Sequence, residues 1–435
     1  MVQNNNKIKV VWISQFSNPE VREKLDLSKR RVFVFLKSLL YKNKRNYRDF
    51  ASWITVQLKE FEKIKNVELH VISPHQGMKQ MIKEFEINGI YYHFYKSDLF
   101  SYLEILRKKL FKKSKCKYVL NRFNVKKIID KLNPDIVNLI GAENPYYSIT
   151  ALDVKSIPVY VLLQTVLQVS LENESHYDVS QERLYIEKQI FMKMKYFGTF
   201  NFSKLYFNCV KKMNTSANIL NYYFPRTQPI CNQEVKKEFD FVFFAAGVSN
   251  VKGIEDTLEA LSIVNKKGFY STLNIIGSCS GEYKKILQNK ISELDIEDKV
   301  FFNDYFPEHS DVFKQIQKAN IAVLPSKIDV ISSTITEAMF MQIPVVAYKT
   351  SGTPFLNKEM EAILLSDIGD INSLADNMIK LLQSEELRKE ISENALKISN
   401  KYFDSKNIAE KLVQDYYAII DHYHHNKEIP PDLLV

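Results

Sequence analysis

Short runs rich in Val, Ile and Phe alternate with longer amphipathic stretches along this chain, and the pattern runs twice, once on each side of a break that holds two prolines. In the first half Lys9–Ser14, Val67–Ser73, Ile136–Gly141 and Val159–Leu163 read as strands, with amphipathic segments such as Trp53–Ile64 and Val125–Leu132 between them. In the second half Phe239–Ala245, Leu273–Gly277, Val300–Phe302, Ile321–Pro325 and Pro344–Tyr348 read as strands, separated by helical segments such as Gly253–Asn265 and Thr334–Met341. Such runs suit a parallel sheet whose two faces are both covered by helices. The break, Phe224–Gln233, has little apolar periodicity and reads as a linker. Two doubly wound α/β domains in series follow, with a cleft expected between them. The tail Asp404–His422 reads as a long amphipathic helix that returns to brace the first domain.

At 435 residues the chain is long enough for two or three domains. No apolar run reaches the roughly 18 residues needed to span a bilayer, and the polar start Met1–Lys9 does not read as a signal peptide. Cys116, Cys209, Cys231 and Cys279 are scattered, with no metal-ligand spacing, so free thiols in a reducing cytoplasm are expected. The net charge of +9 is unevenly spread: residues 1–230 carry +18 and residues 231–435 carry −9. The basic half points to an anionic partner, either nucleic acid or an anionic membrane surface. No aromatic–basic platform accompanies it, so no nucleic-acid partner is expected. Two segments, Ser28–Arg45 and Leu99–Lys117, set apolar residues at helical spacing among lysines and arginines, the pattern of a helix lying in a lipid interface. The bland reading of both is an apolar face packed on the first domain's sheet.

The stretch Leu324–Ala347 is the most informative. A strand ends at Pro325, a loop carries Asp329, and a helix starts near Ser332, Ser333 and Thr334, where Ser and Thr are good N-caps. A helix start beyond the carboxyl end of a strand binds anions, because its free N–H groups and dipole point at the ligand. A diphosphate fits there, with Asp329 and Glu337 flanking it to accept hydrogen bonds from sugar hydroxyls. Alone, Glu337 is a helix-start acid held by the dipole, placed in the first turn. Alone, Lys252 is a loop lysine. The eight histidines show no metal spacing, and no Asp-x-Asp loop is present, so no divalent-metal site is expected.

In register with Pro325-Ser326, Asp329, Glu337-Ala338-Met339 and Pro344-Val-Val-Ala347, the stretch resembles the donor motif of the group 1 (family 4) glycosyltransferases of the GT-B fold, bacterial surface-polysaccharide type. The resemblance extends to Phe243–Gly253, which ends in Lys252-Gly253, to Leu273–Gly277, and to Ser351–Pro354. It covers about 236–405. More loosely, Asn133–Val137, Arg48–Trp53, Leu69–Pro74 and Gly141-Ala-Glu143 are similar to the first domain of a bacterial polysaccharide subgroup. The resemblance implies that Lys252 binds the donor diphosphate, that Asp329 contacts the transferred sugar, and that Glu337 binds the ribose. Gly253, Gly277, Ser332, Ser333 and Thr334 are then nucleotide-side positions. Glu143 is either an acceptor-side residue or a buried acid paired with a basic neighbour. Gln164, where the family often has His, is either acceptor-side or a polar loop end. The chain departs from the family in having Ala246 or Gly247 where an Arg usually holds the second phosphate, in having Asp rather than Glu at 329, and in lacking glycines in the loop Ser14–Pro19.

The expectation is therefore a GT-B chain. Residues 1–228 form an acceptor-binding Rossmann-like domain, joined by a returning helix at about 407–425, and residues 236–406 bind a nucleoside-diphosphate sugar. The resemblance implies a hexosyltransferase, while the free thiols and the basic segments lead to the expectation of a cytoplasmic protein, peripheral on the inner face of the plasma membrane. It would move a sugar with retention to a saccharide or lipid-linked acceptor, with no resident cofactor. Two other readings stay open: a nucleotide-sugar epimerase of the same fold, and a non-catalytic nucleotide-sugar-binding subunit.

Overall fold

The structure is a computed structural model that describes residues 7–27, 50–75, 77–97, 118–172, 180–200, 204–226, 228–229, 235–303, 306 and 309–435. The basic segments Ser28–Arg45 and Leu99–Lys117 lie outside the described residues. The chain forms two compact units. The first holds residues up to Phe224 together with Ser405–Val435, and the second holds Pro225–Asp404.

In the first unit the strands are β1 (Ile8–Ile13), β2 (Val67–Pro74), β3 (Ile82–Ile87), β4 (Ile90–Tyr95), β5 (Ile136–Ile140), β6 (Val159–Leu162), β7 (Tyr196–Thr199) and β8 (Asn218–Asn221). They form one sheet in the order β3-β4-β2-β1-β5-β6-β7-β8. All neighbours are parallel except β3 and β4, an antiparallel hairpin added at one edge. Asn88 (φ 51°) and Gly89 (φ 82°) turn that hairpin, the two-residue left-handed geometry that an Asn-Gly pair favours. Strands β3, β4, β7 and β8 are absent from the sequence reading. The first mixes charged and apolar residues as an edge strand does, the second is rich in Tyr rather than Val and Ile, and the last two are only four residues each.

The helix Ser405–His425 belongs to this unit and buries a polar seam against its sheet. Trp12 Nε1–H and Asn138 Nδ2–H both donate to Tyr416 Oη, each at 2.8 Å. Tyr160 Oη–H donates to Asp415 Oδ2 at 3.0 Å, and Lys411 Nζ donates to Asp415 Oδ1 at 2.9 Å. Burial still pushes the Asp415 carboxyl up, to about 6, against the opposing pull of Lys411.

The second unit carries β9 (Phe239–Gly247), β10 (Leu273–Ser278), β11 (Val300–Asn303), β12 (Ala319–Leu324), β13 (Val345–Tyr348) and β14 (Leu364–Ser366). Every pairing is parallel, in the order β11-β10-β9-β12-β13-β14. The expected α/β class is thus what the chain adopts, in two parallel-sheet units. Phe241, Phe243, Leu273, Ile275, Ile321 and Val323 sit in the core of the second, and helix faces led by Leu258, Leu261 and Leu374 close over them. Side-chain oxygens of Ser280, Asp370 and Ser384 each cap the helix that follows. The order reverses between β9 and β12: the chain builds outward from β9 one way, then returns to β9's other side. That switch point leaves a crevice at the carboxyl ends of β9 and β12.

Candidate active site

Both chain segments that leave this crevice carry the residues singled out by sequence. After β9 a short turn, Asn250–Lys252, leads through Gly253 into the helix Ile254–Lys266. Gly253 has φ 83°, and a Cβ there would lie 2.1 Å from the Pro325 carbonyl oxygen. Only glycine lets this turn press against the end of β12. Lys327 N–H donates to Val251 O at 2.9 Å, and Lys327 Nζ pairs with Asp256 Oδ1 at 2.8 Å, so the two loops are tied together. Gly277 is equally constrained: at φ 140° its Cβ would stand 1.9 Å from Ala245 O. It lets the end of β10 close on the end of β9.

The tie brings Lys252 and Asp329 into contact. Lys252 Nζ donates to Asp329 Oδ2 at 2.5 Å and Ser326 Oγ–H to the same oxygen at 2.8 Å. Burial would raise the Asp329 carboxyl, but Lys252, Ser326 and Ser332 outweigh it and hold the group below its ordinary value. The two side chains are 34% and 35% exposed, so a ligand reaches both. The loop after β13 packs behind them: a Cβ on Gly352 would meet Val330 at 2.7 Å, and Thr350 Oγ1–H donates to Val330 O at 2.7 Å.

Next to the pair begins the helix Ser333–Phe340. Ser332 takes the N-cap position in extended backbone, but its side chain caps no N–H; its Oγ lies 2.9 Å from Thr334 Oγ1 instead. The first N–H groups of the helix therefore have no side-chain cap from Ser332, and a helix start of this kind favours an anion. Glu337 is the fifth helical residue, not a first-turn acid as the sequence reading had it, so the helix dipole does little for it. Burial pushes its carboxyl up to about 7, against the charge of Arg226. Arg226 was not foreseen. It sits in the proline-flanked connection, and its charge faces Glu337 first and Asp329 second, while burial pulls its own guanidinium down.

Glu143 and Gln164 fall in the first unit, beyond β5 and β6. Glu143 is 7% exposed, and its Oε2 is buried without a hydrogen-bond partner among the described residues. The carboxyl folds over Gly141 (φ 84°), where an added Cβ would meet Glu143 Oε2 and Tyr147 Oη, each at 2.7 Å. Burial raises Glu143 to about 7, despite backbone N–H groups and Arg183, whose Nε–H donates to the Glu143 carbonyl at 2.9 Å. Glu187, another residue the sequence did not flag, is also raised to about 7 by burial; it accepts the Leu167 N–H at 2.9 Å. Gln164 is half-buried. Among the described residues no group of three His, Cys, Asp or Glu side chains is placed to hold a metal ion, and no helix is long and apolar enough to cross a membrane.

Residues 229–398 match the family of glycosyl transferases group 1. Among curated proteins, an uncharacterized glycosyltransferase of Haemophilus influenzae is 26% identical over 204 residues, 47% of this chain and 55% of that protein. The N-acetyl-alpha-D-glucosaminyl L-malate synthase of Bacillus anthracis is 24% identical over 215 residues, 48% of this chain and 55% of the other. The chain thus spans about half the length of these relatives. Among solved structures, sucrose-phosphate synthase from Thermosynechococcus elongatus superposes with a TM-score of 0.66 at 14% identity, covering 94% of this chain and 98% of that one. Anabaena HepE, in complex with UDP and glucose, gives 0.61 at 14% identity over 94% and 100%. At such identities the structural likeness speaks for the fold alone, and the fold is GT-B. The part of the chain that matches the group 1 glycosyl transferases, residues 229–398, is thus the part whose motif residues gather at the switch point of the second unit.

Proposed function

We propose that the chain transfers a sugar from a nucleoside-diphosphate sugar to a saccharide or lipid-linked saccharide, with retention, in the building of a bacterial surface polysaccharide. The observation that carries the reading is the contact of Lys252 with Asp329 at the β9/β12 switch point, beside a helix start whose N-cap side chain caps no N–H. The diphosphate lies against those N–H groups and Lys252. Asp329, ionised and held by Ser326, accepts hydrogen bonds from hydroxyls of the transferred sugar. Glu337 accepts from the ribose. As the bond from sugar to diphosphate breaks, charge gathers on the leaving oxygen. The lysine and the fixed N–H dipoles stabilise that charge without having to reorganise. The acceptor lies against the first unit, where the raised carboxyl of Glu143 is suited to take up a proton near neutral pH. The HepE complex with UDP favours uridine as the base, and the Staphylococcus aureus capsular polysaccharide biosynthesis glycosyltransferase CapM, 26% identical over 174 residues, favours a surface-polysaccharide product. The basic segments Ser28–Arg45 and Leu99–Lys117 fit an acceptor presented at an anionic membrane.

A thermal-shift screen against UDP, GDP, ADP and their common sugars tests the donor reading. One base should raise the melting temperature as diphosphate and as diphosphate sugar. No shift with any of them sinks the proposal. In a transfer assay with the donor so found, Asp329→Ala and Glu337→Ala should each lower the rate by about 10²-fold, the loss of roughly 3 kcal/mol of positioning. Unchanged rates in both variants would remove these residues from the site.

A further inference from the structure

A nucleoside diphosphate carries several negative charges into the crevice. The cations present must exceed the anions already there. Lys252 already lies on Asp329, so those two charges largely cancel. The helix start adds about half an elementary charge. Neither Ala246 nor Gly247, at the end of β9, offers a cationic side chain. On the strength of these residues alone the site is short of positive charge.

We propose that Arg226, from the connection between the two units, is the second cation of the donor site and binds an oxygen of the diphosphate. The inference rests on the donor reading given above. Three features of the second unit place the residue. Arg226 N–H donates to Phe403 O at 3.2 Å, and Gln228 Nε2–H donates to Asp404 Oδ2 at 2.7 Å. Together they pin the connection to the carboxyl end of the helix Glu385–Phe403, which packs against the helix Ser333–Phe340. The guanidinium is thereby held where its charge faces both Glu337 and Asp329. Finally, its Nε is buried and makes no hydrogen bond among the described residues. Buried donors in native proteins are nearly always paired, and a phosphate oxygen is the acceptor that a guanidinium fork fits best. With Arg226 the crevice holds two cations against Asp329 and a Glu337 that is half-protonated near neutral pH. That balance admits a diphosphate.

The rival role is a counter-ion that only steadies Glu337, and the two are separable. Take the base that the wild-type chain binds, and measure dissociation constants for its nucleoside diphosphate and monophosphate with wild type, Arg226→Ala and Arg226→Lys. As a diphosphate ligand, Arg226→Ala should weaken diphosphate binding on the order of 10- to 100-fold and monophosphate binding only slightly. Arg226→Lys, which keeps the charge and loses the fork, should show a smaller drop in the same ratio. It also serves as the readout if the alanine variant does not fold. Equal weakening of both ligands, or no weakening, overturns the assignment and leaves Arg226 as a partner of Glu337. If wild type binds neither ligand with any base, the donor reading itself falls, and this inference with it.

Discussion

Glu143 shows how one carboxyl can weigh against the fold and still belong to it. Its folded value is about 7, while an ordinary Glu, as in the unfolded chain, titrates near 4.5. Below 4.5 both states are protonated and there is no penalty. As pH rises from 4.5 to 7 the unfolded chain releases this proton and the folded one keeps it, so native stability falls. Above 7 the loss levels off at about 3 kcal/mol. Glu143→Gln removes the ionisation. The variant should melt at the same temperature as wild type near pH 4.5, higher than wild type at pH 8, and transfer sugar poorly. Melting curves at both values test it; a variant less stable at pH 8 shows that the carboxylate is paired in the native state. Residues of this kind were only partly legible. Lys252, Asp329 and Glu337 stood in a motif whose spacing reflects strand, loop and helix. Arg226 stood in none: it is one arginine between two prolines, and its place depends on the far end of a helix some 180 residues on. Glu187 reads as an ordinary helix acid, and only the fold reveals its burial.

At the level of elements, the site is a meeting of two loops, and glycines set how closely they meet. Gly253→Ala forces a Cβ into the Pro325 carbonyl and an unfavourable φ at once. Both the second unit's melting temperature and its nucleotide binding should drop sharply, with the backbone strain alone costing about 1–3 kcal/mol. Gly247→Ala, only six residues earlier, meets no atom within 4 Å and should change neither by much. Similar losses in both variants would show that the loop tolerates movement and that the close approach is not needed. The strands of the second unit were legible because buried parallel strands leave unbroken apolar runs. The hairpin β3–β4 is marked in the sequence only by Asn88-Gly89, because its strands carry charged and Tyr residues in place of the unbroken Val and Ile runs of buried parallel strands. The start of the helix Ser333–Phe340 was found within a residue, yet the turn that holds Glu337 was not. Cap residues mark where a helix begins but not how far a side chain lies from its dipole.

Across the whole molecule, the first unit is discontinuous in sequence and the second is an uninterrupted stretch, Pro225–Asp404, set inside it. Tyr416 receives hydrogen bonds from Trp12 and Asn138, partners 404 and 278 residues earlier. During synthesis, then, the portion made first cannot finish first. Trp12 and Asn138 leave the ribosome long before Tyr416 exists, and each is a polar group destined for burial whose partner is still unmade. The stretch from 225 to 404 has its whole core in hand by the time Ser405 is added. Stalled nascent chains ending shortly after residue 404 should therefore resist protease across the later stretch while the earlier one is cut. Protection of the early stretch should appear only once residues 405–425 have emerged. Equal protection of both stretches before that point would mean that the early sheet closes without its last helix. For the interval between, the chain carries an unfinished apolar surface joined to a finished neighbour, and the later-made helix Ser405–His425 decides whether that surface closes or aggregates.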